Sequence, residues 1–174
     1  MNATFDMIIV GAGIVGAACA AACAAAGLKV LVLERGCIGG GATAAGMGHL
    51  VVMDDSPAQL ALTDYSCRLW RALAAEGLPE DVEFEACGTL WVAADAEEMV
   101  EVHRKKAVCD AQGVASEVLD GKALAEAEPH LRRGLAGALY VKGDCVLYPP
   151  TAARFLLERA QAAGAEIRQG VLVR

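Results

Sequence analysis

An α/β fold is predicted by three features of the chain. A β-rich run, Met7 to Val10, opens directly into a glycine-spaced turn; an alanine-rich stretch of helical character follows; and a second β-rich run, residues 28–33, closes on Glu34. Strand, turn, helix and strand in that order make a βαβ unit of the nucleotide-binding, Rossmann-like kind. The length of 174 residues fits one domain, or one domain with part of a second, and the 56% hydrophobic content suffices for a core. Much of that content is alanine, which, with the many glycines, predicts close approach of backbone to backbone. The balance of 15 basic against 22 acidic residues leaves a net charge of -7 without a basic stripe. That argues against a nucleic-acid partner, which needs such a stripe to neutralise phosphates.

The first element has a membrane rival. No charged residue occurs from Met7 to Leu28, long enough to span a bilayer. No basic residue precedes the stretch, as a signal peptide would require, and Gly11, Gly13, Gly16 and Gly27 punctuate it. It therefore reads as a buried strand over residues 7–10, a helix over residues 14–26 and the start of a second strand, with no transmembrane segment.

The turn Gly11-Ala12-Gly13-Ile14-Val15-Gly16 has the G-x-G-x-x-G spacing. Gly11 permits the tight turn, Gly13 lets backbone approach a pyrophosphate, and Gly16 lets the helix pack close to the sheet. The helix N-terminus then offers free N–H groups and a positive dipole end to phosphate. Glu34, about 20 residues on, accepts ribose hydroxyls and repels a 2′-phosphate, which disfavours NADP. A second small-residue loop, from Gly39-Gly40-Gly41 through Ala42-Thr43-Ala44-Ala45-Gly46-Met47-Gly48, follows at once. A crossover helix would be the ordinary continuation in an NAD fold. A second glycine-rich loop suits an extended FAD, whose flavin end also needs close backbone approach.

On these residues, the strand at 6–10, the GAGIVG turn, Glu34-Arg35 and the GGGATAAGMGH loop, the chain resembles the FAD-dependent oxidoreductases of the D-amino acid oxidase type. The glycine oxidase, D-amino acid dehydrogenase and hydroxyproline dehydrogenase branches are the most similar. Weaker echoes are Cys87-Gly88-Thr89-Leu90-Trp91-Val92, a strand of the substrate domain, the Glu-Pro and Pro landmarks at residues 124–129 and 146–149, and the returning strand at residues 164–173. The resemblance implies backbone contacts from Ile14 and Val15 to the FAD pyrophosphate, and an adenosine ribose at Glu34 and Arg35. It places Ala42, Thr43, Ala45, Gly46 and Met47 beside the pyrophosphate and flavin, and Val173 against the adenine. It further implies hydride transfer from the carbon bearing the amine of a small amino or imino acid to flavin, with hydrolysis of the imine. Members of this family run to roughly twice this length, so the chain is expected to be an N-terminal portion, with the carboxylate-binding arginine beyond Arg174 and a partner subunit or respiratory acceptor in play.

The domains expected are residues 1–80 as the FAD-binding Rossmann-like part, 81–150 as part of an α+β substrate domain, and 151–174 as the return to the first. Ser56-Pro57-Ala58-Gln59 is a capping box, and Leu62, Tyr65, Leu69 and Leu73 then form a helical core face. Residues 82–85 and 89–93 read as a hairpin around Cys87-Gly88. Asp95 caps the next helix with Glu98 three residues on; Met99, Val102 and Cys109 share its core face, and Glu101 pairs Lys105. Residues 138–142 read as a strand, 151–163 as a helix ended by Gly164, and 165–173 as the closing strand.

The seven cysteines, Cys19, Cys23, Cys37, Cys67, Cys87, Cys109 and Cys145, are widely spaced and never C-x-x-C. They read as reduced, mostly buried thiols of a cytoplasmic protein, with Cys19 and Cys23 packed on the sheet, and no metal-ligand spacing appears. His49, after the second loop, is the one titratable side chain placed near the flavin, and a loop histidine without catalytic duty is the plainer reading. Asp54 and Asp55 read as acidic residues leading into a helix. Two other functions fit the first turn: an NAD-binding dehydrogenase module, which the second loop argues against, and a non-catalytic FAD-binding subunit or fragment.

Overall fold

The computed structural model describes residues 4–54 and 56–174, so Asp55 lies outside the described residues. The strands are β1 (Met7–Val10), β2 (Val30–Glu34), β3 (His49–Leu50), β4 (Thr89–Ala93), β5 (Ser116–Asp120), β6 (Gly137–Val141), β7 (Cys145–Val146) and β8 (Glu166–Gln169). The helices are α1 (Ile14–Ala25), α2 (Ala42–Ala45), α3 (Pro57–Glu76), α4 (Ala96–Ala111), α5 (Gly121–Ala127) and α6 (Pro149–Ala162). They form two units, residues 1–48, 78–83 and 147–174 in the first and 49–77 and 84–146 in the second. Residues 49–77 thus group with the second unit, where the sequence places them in the first.

The first unit is a parallel sheet in the order β1-β2-β8, with Ile9 beside Val32 and Val32 beside Ile167. Central β2 carries the unbroken apolar run that a parallel strand covered on both faces needs, and Val30, Leu31 and Val32 are buried. Helices α1 and α6 pack together through buried Ala17, Ala20 and Ala24 on one and Ala152, Ala153 and Ala160 on the other. Small side chains at these positions let the two helices approach closely, which is the use of the alanine content. Gly27, Gly164 and Gly170 end α1, α6 and β8 with positive φ, a conformation open to glycine at little cost. Strand β8 therefore stops at Gln169, short of the predicted end.

In the second unit, β4-β6-β5 form an antiparallel sheet, and Ala93, Val102, Cys109, Leu139 and Val141 build its core with Trp91 and Met99 packed on it. Strand β4 pairs with β6, Trp91 beside Leu139, and not with residues 82–85; of those, Val82 ends a turn of 3-10 helix, Glu80–Val82, and Glu85 makes a single bridge to Val146. The predicted hairpin is therefore absent. Strand β5 escaped the sequence reading. Ser56 accepts from the Gln59 N–H at 3.2 Å and Asp95 accepts from the Glu97 and Glu98 N–H groups at 3.0 Å, so both caps form as their spacing requires.

Three further expectations are corrected here. Of the stripe Leu62, Tyr65, Leu69 and Leu73, the first three are 67, 55 and 49% exposed and Leu73 is half-buried, and α3 buries Leu60 and Cys67 instead. Glu101 pairs Arg104 at 2.6 Å, while Lys105 pairs Asp54 and lies over the Trp91 ring. Asp54, also 2.6 Å from Arg104, is held by two cations of α4 and is no loose lead into α3.

Asp144 is fully buried, its Oδ1 accepting from the Val52 N–H at 3.1 Å and its Oδ2 without a partner. Burial raises its pKa above the ordinary 3.8. A carboxyl raised in this way favours folding most at low pH, and its contribution falls as pH rises through the raised value. Urea unfolding followed from acid to neutral pH is expected to show that loss, and Asp144→Asn to flatten it.

Candidate dinucleotide-binding site

The site grows from the end of β2. The Glu34 carboxylate is gripped by two backbone donors, Oε2 accepting from the Ala12 N–H and Oε1 from the Gly36 N–H, both at 2.7 Å. These bonds, the Ala12 one first, hold its pKa below the ordinary 4.5. Each oxygen keeps a lone pair for a further donor. Glu34 also accepts through its carbonyl from the Val171 N–H at 3.0 Å, which draws the segment after β8 alongside. The outcome is a cleft of about 290 Å³ lined by Val10, Gly11, Leu33, Glu34, Arg35, Leu172 and Val173. The structure thus brings Gly11, Glu34, Arg35 and Val173 to one cleft.

The glycine turn precedes α1 as its sequence implies. Gly11 has φ +103°, and a Cβ on Gly16 would lie 2.0 Å from the Gly11 carbonyl oxygen. Only glycine lets the helix sit that close to the turn. Gly13 is the N-cap without a side chain to cap the helix, which leaves the first-turn N–H groups of Val15 and Gly16 directed out of the N-terminus.

Thr43 has a role the sequence did not disclose. Its Oγ1, nearly buried, accepts from the Ile14 N–H at 3.0 Å across 29 positions, and a Cβ on Gly13 would meet that same oxygen at 2.9 Å. The Gly39 N–H adds a second tie, donating to the Ala12 carbonyl at 2.9 Å. The second loop therefore lies against the first turn, and residues 42–45 coil into α2 instead of remaining open loop. Ala42, Ala45, Gly46 and Met47 are exposed, Met47 to 80%. Thr43→Val is expected to leave the Ile14 N–H without its acceptor and to lower stability by about 1 to 2 kcal/mol, read from urea denaturation.

Other predicted residues fall elsewhere. His49 opens β3, exposed and paired with Val146 of the second unit. Cys19, Cys37 and Cys87 are exposed and Cys23 half-buried; only Cys67, Cys109 and Cys145 are buried. Cys19 and Cys23 line an open groove together with Ile8, Ile9 and Val10 of β1. Burial pushes the Cys67 thiol up to about 11. Among the described residues, no helix is long and apolar enough to cross a membrane.

The profile of a family described as FAD dependent oxidoreductase matches residues 6–174. The chain is 33% identical over 169 residues to 4-methylaminobutanoate oxidase (formaldehyde-forming) of Paenarthrobacter nicotinovorans, covering 95% of this chain and 20% of that protein. It is 32% identical over 173 residues to glycine oxidase of Geobacillus kaustophilus, covering 95% of this chain and 46% of that one. The crystal structure of glycine oxidase from Geobacillus kaustophilus superimposes with a TM-score of 0.85 at 30% identity, over 95% of this chain and 46% of that chain. The chain thus spans less than half the length of the curated relatives it matches.

Proposed function

Because the chain belongs to the FAD-dependent oxidoreductase family, we propose that it supplies the FAD-binding part of a flavoenzyme that oxidises the C–N bond of a small amino or imino acid. The observation that carries this reading is the Glu34 carboxylate, fixed by the Ala12 and Gly36 N–H groups at the mouth of a cleft that Val173 and Arg35 also line. A carboxylate so placed is built to accept from the two hydroxyls of a ribose. Val173 and Leu172 then bound the adenine. The first turn of α1 receives the pyrophosphate through the Val15 and Gly16 N–H groups, with Gly11, Gly13 and Ile14 shaping the turn. Thr43 orders that turn by taking the Ile14 donor, and Ala42, Ala45, Gly46 and Met47 carry the backbone onward toward the flavin end. When bound, flavin accepts a hydride from the carbon bearing the amine.

The second unit is the beginning of the substrate domain, the electron acceptor is oxygen or a respiratory carrier, and the setting is cytoplasmic. A small amino or imino acid is the substrate class, as the names of the two relatives suggest. The test is anaerobic incubation of the flavin-loaded protein with glycine, sarcosine, D-alanine, hydroxyproline and 4-methylaminobutanoate while the visible flavin band is followed. Bleaching by one or more of these amines supports the reading. Bleaching by a reduced nicotinamide and by none of the amines would overturn it.

A further inference from the structure

Three of the thiols are exposed, Cys19, Cys37 and Cys87, and of these Cys87 has a second cysteine set opposite it by the backbone. Residues 85–88 run antiparallel to β7. Glu85 and Val146 exchange both backbone hydrogen bonds at 2.9 Å, and the next bond runs from the Gly88 N–H to the Asp144 carbonyl at 3.0 Å. Ala86 and Cys87 thus stand opposite a single residue, Cys145, the two-against-one count of a β-bulge. The extra residue brings Cys87 to the side of Cys145, where strict alternation would have turned it away. Residues opposed across an antiparallel pair have Cα atoms about 4.5 to 5.5 Å apart, inside the range of about 4.4 to 6.8 Å that a disulfide spans. Cys19 and Cys23 are near in sequence but one turn apart on α1, where Cβ atoms are about 5 to 6 Å apart; a disulfide needs about 3.5 to 4.5 Å. Cys37 lies outside any strand pairing. Cys145 is buried, its S–H donating to the Gly143 carbonyl at 3.4 Å. Burial raises its pKa, and the nearby Cys87 charge adds to the rise. The two thiols therefore differ in kind: one is open to solvent, and the other is closed off and held protonated.

We infer that Cys87 is an oxidation site for hydrogen peroxide and that Cys145 resolves it, so that the two close into a reversible disulfide across the bulge. The Cys87 sulfur attacks one peroxide oxygen and the O–O bond breaks. The sulfur, oxidised by two electrons, becomes a sulfenic acid, and the other oxygen leaves with the thiol proton as water. The Cys145 sulfur then attacks the Cys87 sulfur; the S–S bond forms, the S–O bond breaks, and the hydroxyl leaves as water with the Cys145 proton. Two thiols and one peroxide give one disulfide and two waters. Forming it takes from Cys145 the bond to Gly143, and a thiol is a weak donor. A dithiol reverses the step by exchange, which suits a transient disulfide in a reducing compartment. Cys19 and Cys37, exposed without such a partner, have no equivalent protection from further oxidation to sulfinic acid.

The test reduces the purified protein, removes the dithiol, adds hydrogen peroxide, alkylates the remaining thiols and maps the unreduced digest by mass spectrometry. The peroxide is supplied from outside, so the result does not depend on the amine oxidation proposed above. A peptide pair joined through Cys87 and Cys145, two hydrogens lighter than its separate halves and lost on adding dithiothreitol, is expected. Cys145→Ala is expected to leave Cys87 as a sulfenic acid that dimedone traps, and to raise its conversion to sulfinic acid about 10-fold. Cys87→Ser, at an exposed position, should keep the parent circular dichroism and leave Cys145 unoxidised. Cys87 carried to sulfinic acid in the parent protein without a cross-link would overturn the inference. So would a Cys67–Cys145 cross-link in its place, or Cys87 left unmodified while Cys19 and Cys37 are oxidised. These three outcomes are read from the parent protein alone, so the test stands even where Cys145→Ala fails to fold.

Discussion

Gly16→Ala is expected to lower FAD affinity at least 100-fold and to destabilise the protein by about 3 kcal/mol. The new methyl carbon would lie 2.0 Å from the Gly11 carbonyl oxygen, 3.1 Å from its carbon and 3.4 Å from Ile9 Cγ2. Two of these three atoms are backbone, so no side-chain rotation relieves the clash. Either α1 lifts away from the sheet or the turn opens, and both displace the first-turn N–H groups that the proposed pyrophosphate site uses. Gly27→Ala separates this effect from a general loss of glycine. Gly27 also has positive φ, +84°, but nothing lies within 4 Å of an added Cβ, so its variant bears only the left-handed backbone cost of about 1 to 2 kcal/mol. Calorimetric titration with FAD should find Gly27→Ala close to the parent protein and Gly16→Ala with little or no heat of binding.

Glu34→Ala is expected to weaken FAD binding about 100-fold, the effect of removing charge-assisted acceptors worth about 1.5 to 3 kcal/mol together with the tie that closes the turn. Two N–H groups, of Ala12 and Gly36, lose their acceptor at once. Glu34→Gln keeps an acceptor oxygen but replaces the other with a donor facing one of those N–H groups, and its affinity should fall between the two. The pH dependence follows from the direction of the shift. Because the folded-state pKa lies below the ordinary 4.5, the carboxylate's contribution is fully present above that value and is lost only as pH falls through the depressed one. FAD affinity should therefore be flat from neutral pH down to about 5 and drop in more acidic solution. The Glu34→Gln variant should lack that acid-sensitive limb.

The first βαβ unit was legible because its signals are local. An uncharged run bounded by glycines fixes strand, turn and helix, and Glu34 follows at the spacing a ribose acceptor needs. The caps at Ser56 and Asp95 were legible for the same reason, since each acts within three residues. What the sequence did not disclose depends on distant partners. Strand β5 reads as polar because Glu117 and Asp120 belong to it, and it becomes a strand only through pairing with β6. The β4 partner lies beyond α4, so a nearby segment was mistaken for it. Helical spacing correctly found the stripe Leu62, Tyr65 and Leu69, but periodicity marks a stripe without saying what covers it. Cys19 and Cys23 differ from the alanines of α1 only by a sulfur, and nothing local tells which face meets the neighbouring helix. In the candidate site, the glycines, Glu34 and the second loop could be picked out one by one. The bond from Ile14 to Thr43 could not, because it joins two loops 29 positions apart.

The central claim is that Glu34, the glycine turn and the segment around Val173 bind the adenosine half of FAD. Its most direct test is calorimetric titration of the protein with FAD, repeated in the presence of saturating ADP or saturating FMN. One-to-one binding of FAD that ADP suppresses and FMN leaves unchanged is the predicted result. Competition by FMN with none by ADP, or binding of NAD with no binding of FAD, would contradict it.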